Sequence, residues 1–366
     1  MDNTSNTQVT KKTKNFGFLS SVFAIIVGLV FGFIILLVSN PAEAGQGFIT
    51  ILTGALTRGT RGIGQIFYYA TPIIMTGLSV GFAFKTGLFN IGASGQFIMG
   101  AFFSVFVGLT MTSLGGFHWV VALIASAVGG ALWALIPGLL KAYANVHEVI
   151  SSIMMNYIGM YLVNAMVKNS DIIFDSLKNQ SKALPKTAYI PKMGLDKIFQ
   201  GSSVNGGIII ALIMAIIMYI VLTKTTFGFE LRAVGFNRDA SRYAGINEKK
   251  NIVLSMVIAG ALAGIAGGLL YLAGSGKHIE VVDVLAAEGF TGISVALLGL
   301  SNPIGIIFSG LFIAYITAGG FYLQLFDFST EVINIIIAVI IYFSAFSLII
   351  KTFIKKFTSR KKGGTE

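Results

Sequence analysis

Gly206-Gly-Ile-Ile-Ile-Ala-Leu-Ile-Met-Ala-Ile-Ile-Met-Tyr-Ile-Val-Leu-Thr223 is a stretch without a single charge, closed by Lys224. As an α-helix rising 1.5 Å per residue it reaches roughly 27 Å, close to the about 30 Å of hydrocarbon in a bilayer. It is apolar on every face, whereas a helix on a soluble core carries an apolar stripe and a polar back. Nine comparable blocks lie around it: 16–38, 63–84, 88–113, 117–140 and 147–167 before it, then 251–273, 288–301, 303–322 and 331–350. Block 288–301 is short and glycine-rich, which predicts a half-helix or re-entrant segment, tolerable only where protein or a cavity surrounds it. The expected fold is therefore an all-α polytopic transmembrane bundle of eight to ten spans, one of them broken.

Composition agrees. Only 11% of the 366 residues are charged against 55% apolar, where soluble domains average about 25% charged. The net charge of +11 resides in the segments between apolar blocks and at the two ends. That distribution reads as topology and not as a nucleic-acid surface. With both termini on the cytoplasmic side, inner segments hold seventeen of the lysines and arginines and outer segments nine. Against this bias, the outer loop 168–205 carries six, as many as the inner loop 224–250. The expected organisation is a cytoplasmic tail over 1–15, a permeation domain over 16–350 and a basic cytoplasmic tail over 351–366, in the membrane of a cell. Within the tails, the polar low-complexity stretches 1–10 and 359–366 are expected to be disordered. The block after Lys11, Lys12 and Lys14 is too long for the apolar core of a signal peptide and lacks a small-x-small cleavage site, so it reads as a retained helix.

Polar side chains interrupt the apolar blocks at few places. In Gly87-Leu-Phe-Asn-Ile-Gly-Ala-Ser-Gly-Gln96, three glycines accompany Asn90, Ser94 and Gln96. Amides are expensive in hydrocarbon unless paired, and a broken helix frees backbone groups for a polar solute. Close helix packing with amides bonded to neighbouring helices is the alternative. Asn156 and Tyr157 place a second amide and a phenol in the fifth block, Tyr157 either stacking on a flat solute or packing inward. Asn90, Ser94, Gln96, Asn156 and Tyr157 are the candidate lining of a solute path. His147 and Glu148 read as a solvated helix end beside Lys141, and Asn164 and Asn334 are further amides of open role. Gly77-Leu-Ser-Val80 and Gly87-Leu-Phe-Asn90 are echoed by Gly292-Ile-Ser-Val295 and Gly299-Leu-Ser-Asn302. Duplicated halves are common in transporters, and here the copies are expected to run parallel.

After Lys224 comes Thr226-Phe-Gly-Phe-Glu-Leu-Arg-Ala-Val-Gly-Phe-Asn-Arg-Asp-Ala-Ser-Arg-Tyr-Ala-Gly-Ile-Asn247, with a short helix expected from about Asp239 to Ala244. Anchored by a span at each end and charged on one side, it reads as a rigid handle for a partner. Together with Phe89-Asn-Ile-Gly-Ala-Ser-Gly-Gln96, it resembles the permease subunits of ATP-binding-cassette importers in the branched-chain amino acid and simple-sugar permease superfamily, nucleoside-uptake branch. The resemblance spans roughly 60–350 and extends to Val295-Ala-Leu-Leu-Gly299 and Pro303-Ile-Gly305. It implies that Glu230, Arg232, Gly235, Asn237, Arg242, Tyr243 and Gly245 belong to a coupling helix docking on a separate ATPase subunit; Arg238, charged and within the same run, is a further coupling candidate. It also implies a second homologous permease, an extracellular or periplasmic substrate-binding protein or lipoprotein, and a nucleoside solute in a bacterial cell membrane. Ser94 and Phe236 depart from the family pattern, where acidic residues are common.

No catalytic constellation accompanies these features, and the expected role is transport without enzymatic activity in this chain. Gly274-Ser-Gly-Lys-His278 lacks the upstream glycine and the Ser/Thr of a phosphate loop, so no cofactor is expected here and ATP is expected on the partner. His118, His147 and His278 lack metal-ligand spacing, no serine sits in a Gly-x-Ser-x-Gly elbow with acid and histidine partners, and without cysteine there are neither disulfides nor thiolate sites. The rival reading, a stand-alone secondary transporter, would place acidic or histidine relays inside spans; a sugar or branched-chain amino acid permease is the rival within the superfamily.

Overall fold

A computed structural model describes residues 22–326 and 328–346. The helices are α1 Val22–Ser39, α2 Ala44–Thr57, α3 Gly59–Lys85, α4 Ala93–Thr110, α5 His118–Ala144, α6 Glu148–Lys168 and α7 Leu195–Ile198. They continue as α8 Gly207–Lys224, α9 Thr226–Phe236, α10 Arg238–Tyr243, α11 Glu248–Tyr271, α12 Ala287–Leu298, α13 Pro303–Phe321 and α14 Thr330–Ala345. Among the described residues, eight helices are long and apolar enough to cross a membrane. The chain is a multi-pass, all-α membrane protein. Its only β-structure among the described residues is a two-residue antiparallel pair, Phe174–Asp175 with Gln180–Ser181, in the loop after α6, and an isolated bridge from Gln180 to Glu280. The expected tails, 1–15 and 351–366, lie outside the described residues.

Three elements differ from expectation. The chain before α3 forms an additional helix, α2, which the span count passed over because its 14 residues are too few to cross hydrocarbon. Block 88–113 becomes helical only at Ala93, after a non-helical 86–92. The handle is two helices, α9 and α10, and not one short run from Asp239; they break at Asn237, whose extended backbone ends α9 while its side-chain oxygen caps α10 at the Ala240 amide (2.9 Å). Block 288–301 is the half-helix expected, twelve residues long as α12.

α3 and α11 form the interior. On α11, Gly260, Gly264 and Gly267 let the backbones of α5 and α4 come so close that a methyl group at Gly264 would lie 2.2 Å from the Ser126 carbonyl oxygen, and one at Gly267 2.3 Å from that of Phe97. Small residues four apart are how helices without a hydrophobic driving force gain contact area in lipid. The two echoed stretches lie against each other: Thr76 abuts Gly292, Gly77 abuts Val295 and Gly81 abuts Ala296 and Ser301. The contacts advance together along both helices, so α3 and α12 run parallel.

The 168–206 loop is fastened to the bundle. His118, buried at the start of α5, donates to the Val107 carbonyl (3.1 Å) and pairs with Thr187 (3.0 Å). His278 bonds the Ser181 carbonyl (2.9 Å) and the Ile190 amide bonds that of Leu272 (2.9 Å). Glu148 is no solvated end: it is buried and forms an ion pair with Lys141 (2.8 Å) that ties α6 to α5.

Candidate functional site

The break between α3 and α4 organises the interior. Gly87, at φ +74°, turns the chain where a side chain would be strained, and 88–92 folds back along α3. Asn90 and Gln96 exchange amide hydrogen bonds (2.8 and 2.9 Å), and Asn90 also donates to Ser79 on α3 (3.2 Å). The first-turn amides of α4 have no local side-chain cap, since Gly92 holds the N-cap. Asn156 of α6 supplies one: it accepts from the Gly95 amide (2.8 Å) and donates to the Ile91 carbonyl (3.0 Å), stapling both sides of the break. Ser94 donates to the carbonyl of Ala286, just ahead of α12 (2.9 Å). All four residues are buried, and their polarity is spent on one another and on backbone. Tyr157 is not with them: one residue on from Asn156 it has rotated to the outer face of α6 and is 49% exposed.

A cavity of about 530 Å³ opens beside this cluster, between α3, α11, α12, α13 and α14. Tyr68, Tyr69, Glu288, Thr291, Thr317 and Asn334 supply its polar groups, and Lys277 stands at its edge. None of the five residues expected to line a path borders it. The link is backbone: Ala286, held by Ser94, is followed by Ala287 and Glu288 in the cavity wall. A second cavity of about 410 Å³ shares Tyr69 and is lined by Arg58, Arg61, Gln65 and Tyr322, with the Arg58 guanidinium 4.7 Å from the Tyr322 ring centre. Sequence reading picked out Asn334 but not Tyr68, Tyr69 or Glu288; the signal available was an acidic residue opening an apolar block.

At the other end of α3, the handle meets the break. Gly235 of α9 lies directly on the Thr86-Gly87 turn: a methyl group on Gly235 would fall 2.5 Å from the Thr86 carbonyl carbon, and one on Gly87 2.6 Å from the Gly235 Cα. Thr86 in turn hydrogen-bonds Ser255 of α11. Glu230 accepts from Asn251 (3.1 Å), and Arg238 forms a two-pronged pair with Glu248 (2.8 and 3.3 Å). These three residues fasten the handle to the bundle. Arg232, Asn237, Arg242, Tyr243 and Gly245 are exposed, with Phe229 and Phe236 among them. Between α9 and α10 they leave an apolar concavity of about 480 Å³, lined by Phe229, Arg232, Phe236 and Ile246.

The family described as the branched-chain amino acid transport system permease component matches residues 62–345. The chain belongs to it. Nearly all of α3 and everything through α14 lie inside the match, so the break, the central cavity and the handle are parts of a family permease, while α1, α2 and the Arg58 and Arg61 of the second cavity precede it. The permease is similar to the guanosine ABC transporter permease protein NupP of Bacillus subtilis, 39% identical over 94% of this chain and 97% of the relative. It is similar also to the nucleoside ABC transporter permease protein NupB of Lactococcus lactis, 36% identical over 92% and 93%. A glucose ABC transporter permease protein of Haloferax volcanii is 30% identical over 92% and 88%. No solved structure matches. A permease of this family is a transport component and not an enzyme, and works within an ATP-binding-cassette system.

Proposed function

We propose that this permease carries nucleosides into a bacterial cell by alternating access, driven by ATP hydrolysis on a separate subunit. The substrate class rests on the two relatives named for guanosine and nucleosides. The mechanism rests on one observation, an unbroken line of contact from the handle to the cavity. Gly235 bears on the Gly87 turn, the turn leads into the Asn90–Gln96 pair, and Ser94 holds Ala286 at the cavity wall. A push on α9 reaches the first turns of α4 and α12 through hydrogen bonds and backbone contact, with little soft side chain between. Packed elements of this kind switch between discrete arrangements instead of deforming smoothly.

In this reading the apolar concavity between α9 and α10 receives the ATPase, with Arg232, Asn237, Arg242 and Tyr243 around it, while Glu230, Gly235 and Arg238 transmit its movement. Asn90, Ser94, Gln96 and Asn156 hold the broken helix that walls the path. Solute enters by the Arg58–Arg61 cavity and passes Tyr69 into the central one. The handle and both termini are cytoplasmic, the 168–206 loop faces a binding protein or lipoprotein, and a second homologous permease completes the pore. The central cavity lies in the roughly 300–1,000 Å³ range of small-molecule sites.

Reconstitution tests this. The chain with its ATPase, second permease and binding protein should accumulate labelled nucleoside in liposomes only with ATP, and excess glucose should not compete. Gradient-driven flux through the chain alone would instead establish a secondary transporter. Competition by glucose would favour the sugar reading that the Haloferax relative supports.

A further inference from the structure

Glu288 is the acidic side chain in the wall of the central cavity. It sits in the first turn of α12, where the helix dipole favours a carboxylate. Among the described residues it makes no ion pair and no hydrogen bond, although Lys277 borders the same cavity. An acidic group that opens an apolar helix, borders a cavity and makes no ion pair or hydrogen bond with the protein marks a candidate functional site. The walls around it divide by chemistry. Tyr68 and Tyr69 bring flat aromatic rings on which a planar base can stack. Thr291, Thr317 and Asn334 bring neutral hydroxyl and amide groups of the kind that match ribose hydroxyls.

We propose that Glu288 reads the base of the transported nucleoside, its two carboxylate oxygens accepting from the adjacent N1–H and N2–H groups of a guanine edge. The proposal rests on the nucleoside reading above. A carboxylate offers two parallel acceptors and no donor. Guanine presents two neighbouring donors in the plane of its ring, hypoxanthine only the one at N1. The ribose diol also carries two donors, but Thr291, Thr317 and Asn334 supply neutral partners for it. Glu288 is then a specificity-determining residue at the membrane step, independent of any selection made by a delivery protein.

The test uses the complete transporter in proteoliposomes, with ATP-driven uptake measured at solute concentrations that saturate delivery. The wild type should move guanosine in preference to inosine and to N1-methylguanosine by roughly ten- to hundredfold, the worth of one hydrogen bond to a charged group. In Glu288→Gln the side-chain amide can pair with O6 and N1–H, which guanosine and inosine share, so the preference between them should fall to near one. The ratio of guanosine to 2′-deoxyguanosine should not change. Glu288→Asp keeps both acceptors and should retain the guanosine preference at a lower rate. An intact guanosine-to-inosine ratio in Glu288→Gln, or a change confined to the deoxyribonucleoside ratio, overturns the proposal. A wild-type transporter that moves nucleosides without preferring guanosine overturns it too and leaves the transport reading standing; one that moves no nucleoside removes both.

Discussion

At the scale of the residue, the interior depends on amides that are paired and would be costly if left single. Asn90 and Gln96 satisfy each other in a buried setting. Removing one leaves the other's polar group without water or partner, a penalty of about 1–3 kcal/mol, whereas removing both with apolar groups of similar shape comes near neutral. Asn90→Leu and Gln96→Leu should therefore each lower the thermal stability of the detergent-solubilised protein, and the double variant should lose less than the sum of the two. Uptake should fall in all three, because the pair also sets the path of 88–92. Additive losses measured by thermal unfolding would show that the pair is not coupled. The sequence made these residues conspicuous, since polar groups in an apolar block need a reason, but not their role. Gly95 finds its partner in Asn156 and Ser94 in Ala286, on elements far away in the chain. Tyr157 shows the same limit from the other side: it adjoins Asn156 in sequence and faces away from it in space.

At the scale of the element, α9 meets the α3–α4 turn through a contact that only glycine permits. Gly235 is helical, and Gly→Ala at an exposed helical site gains about 1 kcal/mol. Here the new methyl group would lie 2.5 Å from the Thr86 carbonyl carbon and push α9 off the α3–α4 turn. Gly235→Ala is expected to leave ATP hydrolysis by the assembled complex in place while uptake per ATP falls about tenfold, a loss of roughly 1.4 kcal/mol of coupling. Parallel ATPase and uptake assays check it; unchanged stoichiometry would take the Gly87–Gly235 contact out of the transmission route. Whole elements were legible where hydrocarbon dictates them: among the described residues eight spans reach membrane length, because nothing else hides their backbone in lipid. α2 was not, because its 14 residues match neither a span nor a turn. The two-helix handle was half legible, with the break at Asn237 visible only through the cap it makes.

At the scale of the whole molecule, the cavity has no signature in the sequence, because five helices from α3 to α14 each contribute one or a few residues to it. Sidedness is the property on which every molecular role then depends. The lysine and arginine count favours the handle inside, yet the 168–205 loop carries as many basic residues as the handle loop. In the folded state that loop is fastened to the bundle by His118 and His278 and carries a two-residue strand pair, but its length keeps it among the loops over which the charge bias is counted, so the count alone does not decide sidedness. Absence of cysteine makes the question directly measurable. Tyr243→Cys, at a position 94% exposed on the handle, and Leu177→Cys, at one 96% exposed in the opposite loop, introduce single thiols on surfaces with no packing to lose. In right-side-out vesicles an impermeant maleimide should label Cys at 177 and spare Cys at 243; inverted vesicles stripped of the ATPase subunit should reverse the pattern. The opposite result would put the α9–α10 concavity outside the cell, where no ATPase subunit could reach it, and the line from Gly235 to Glu288 would have nothing to drive it.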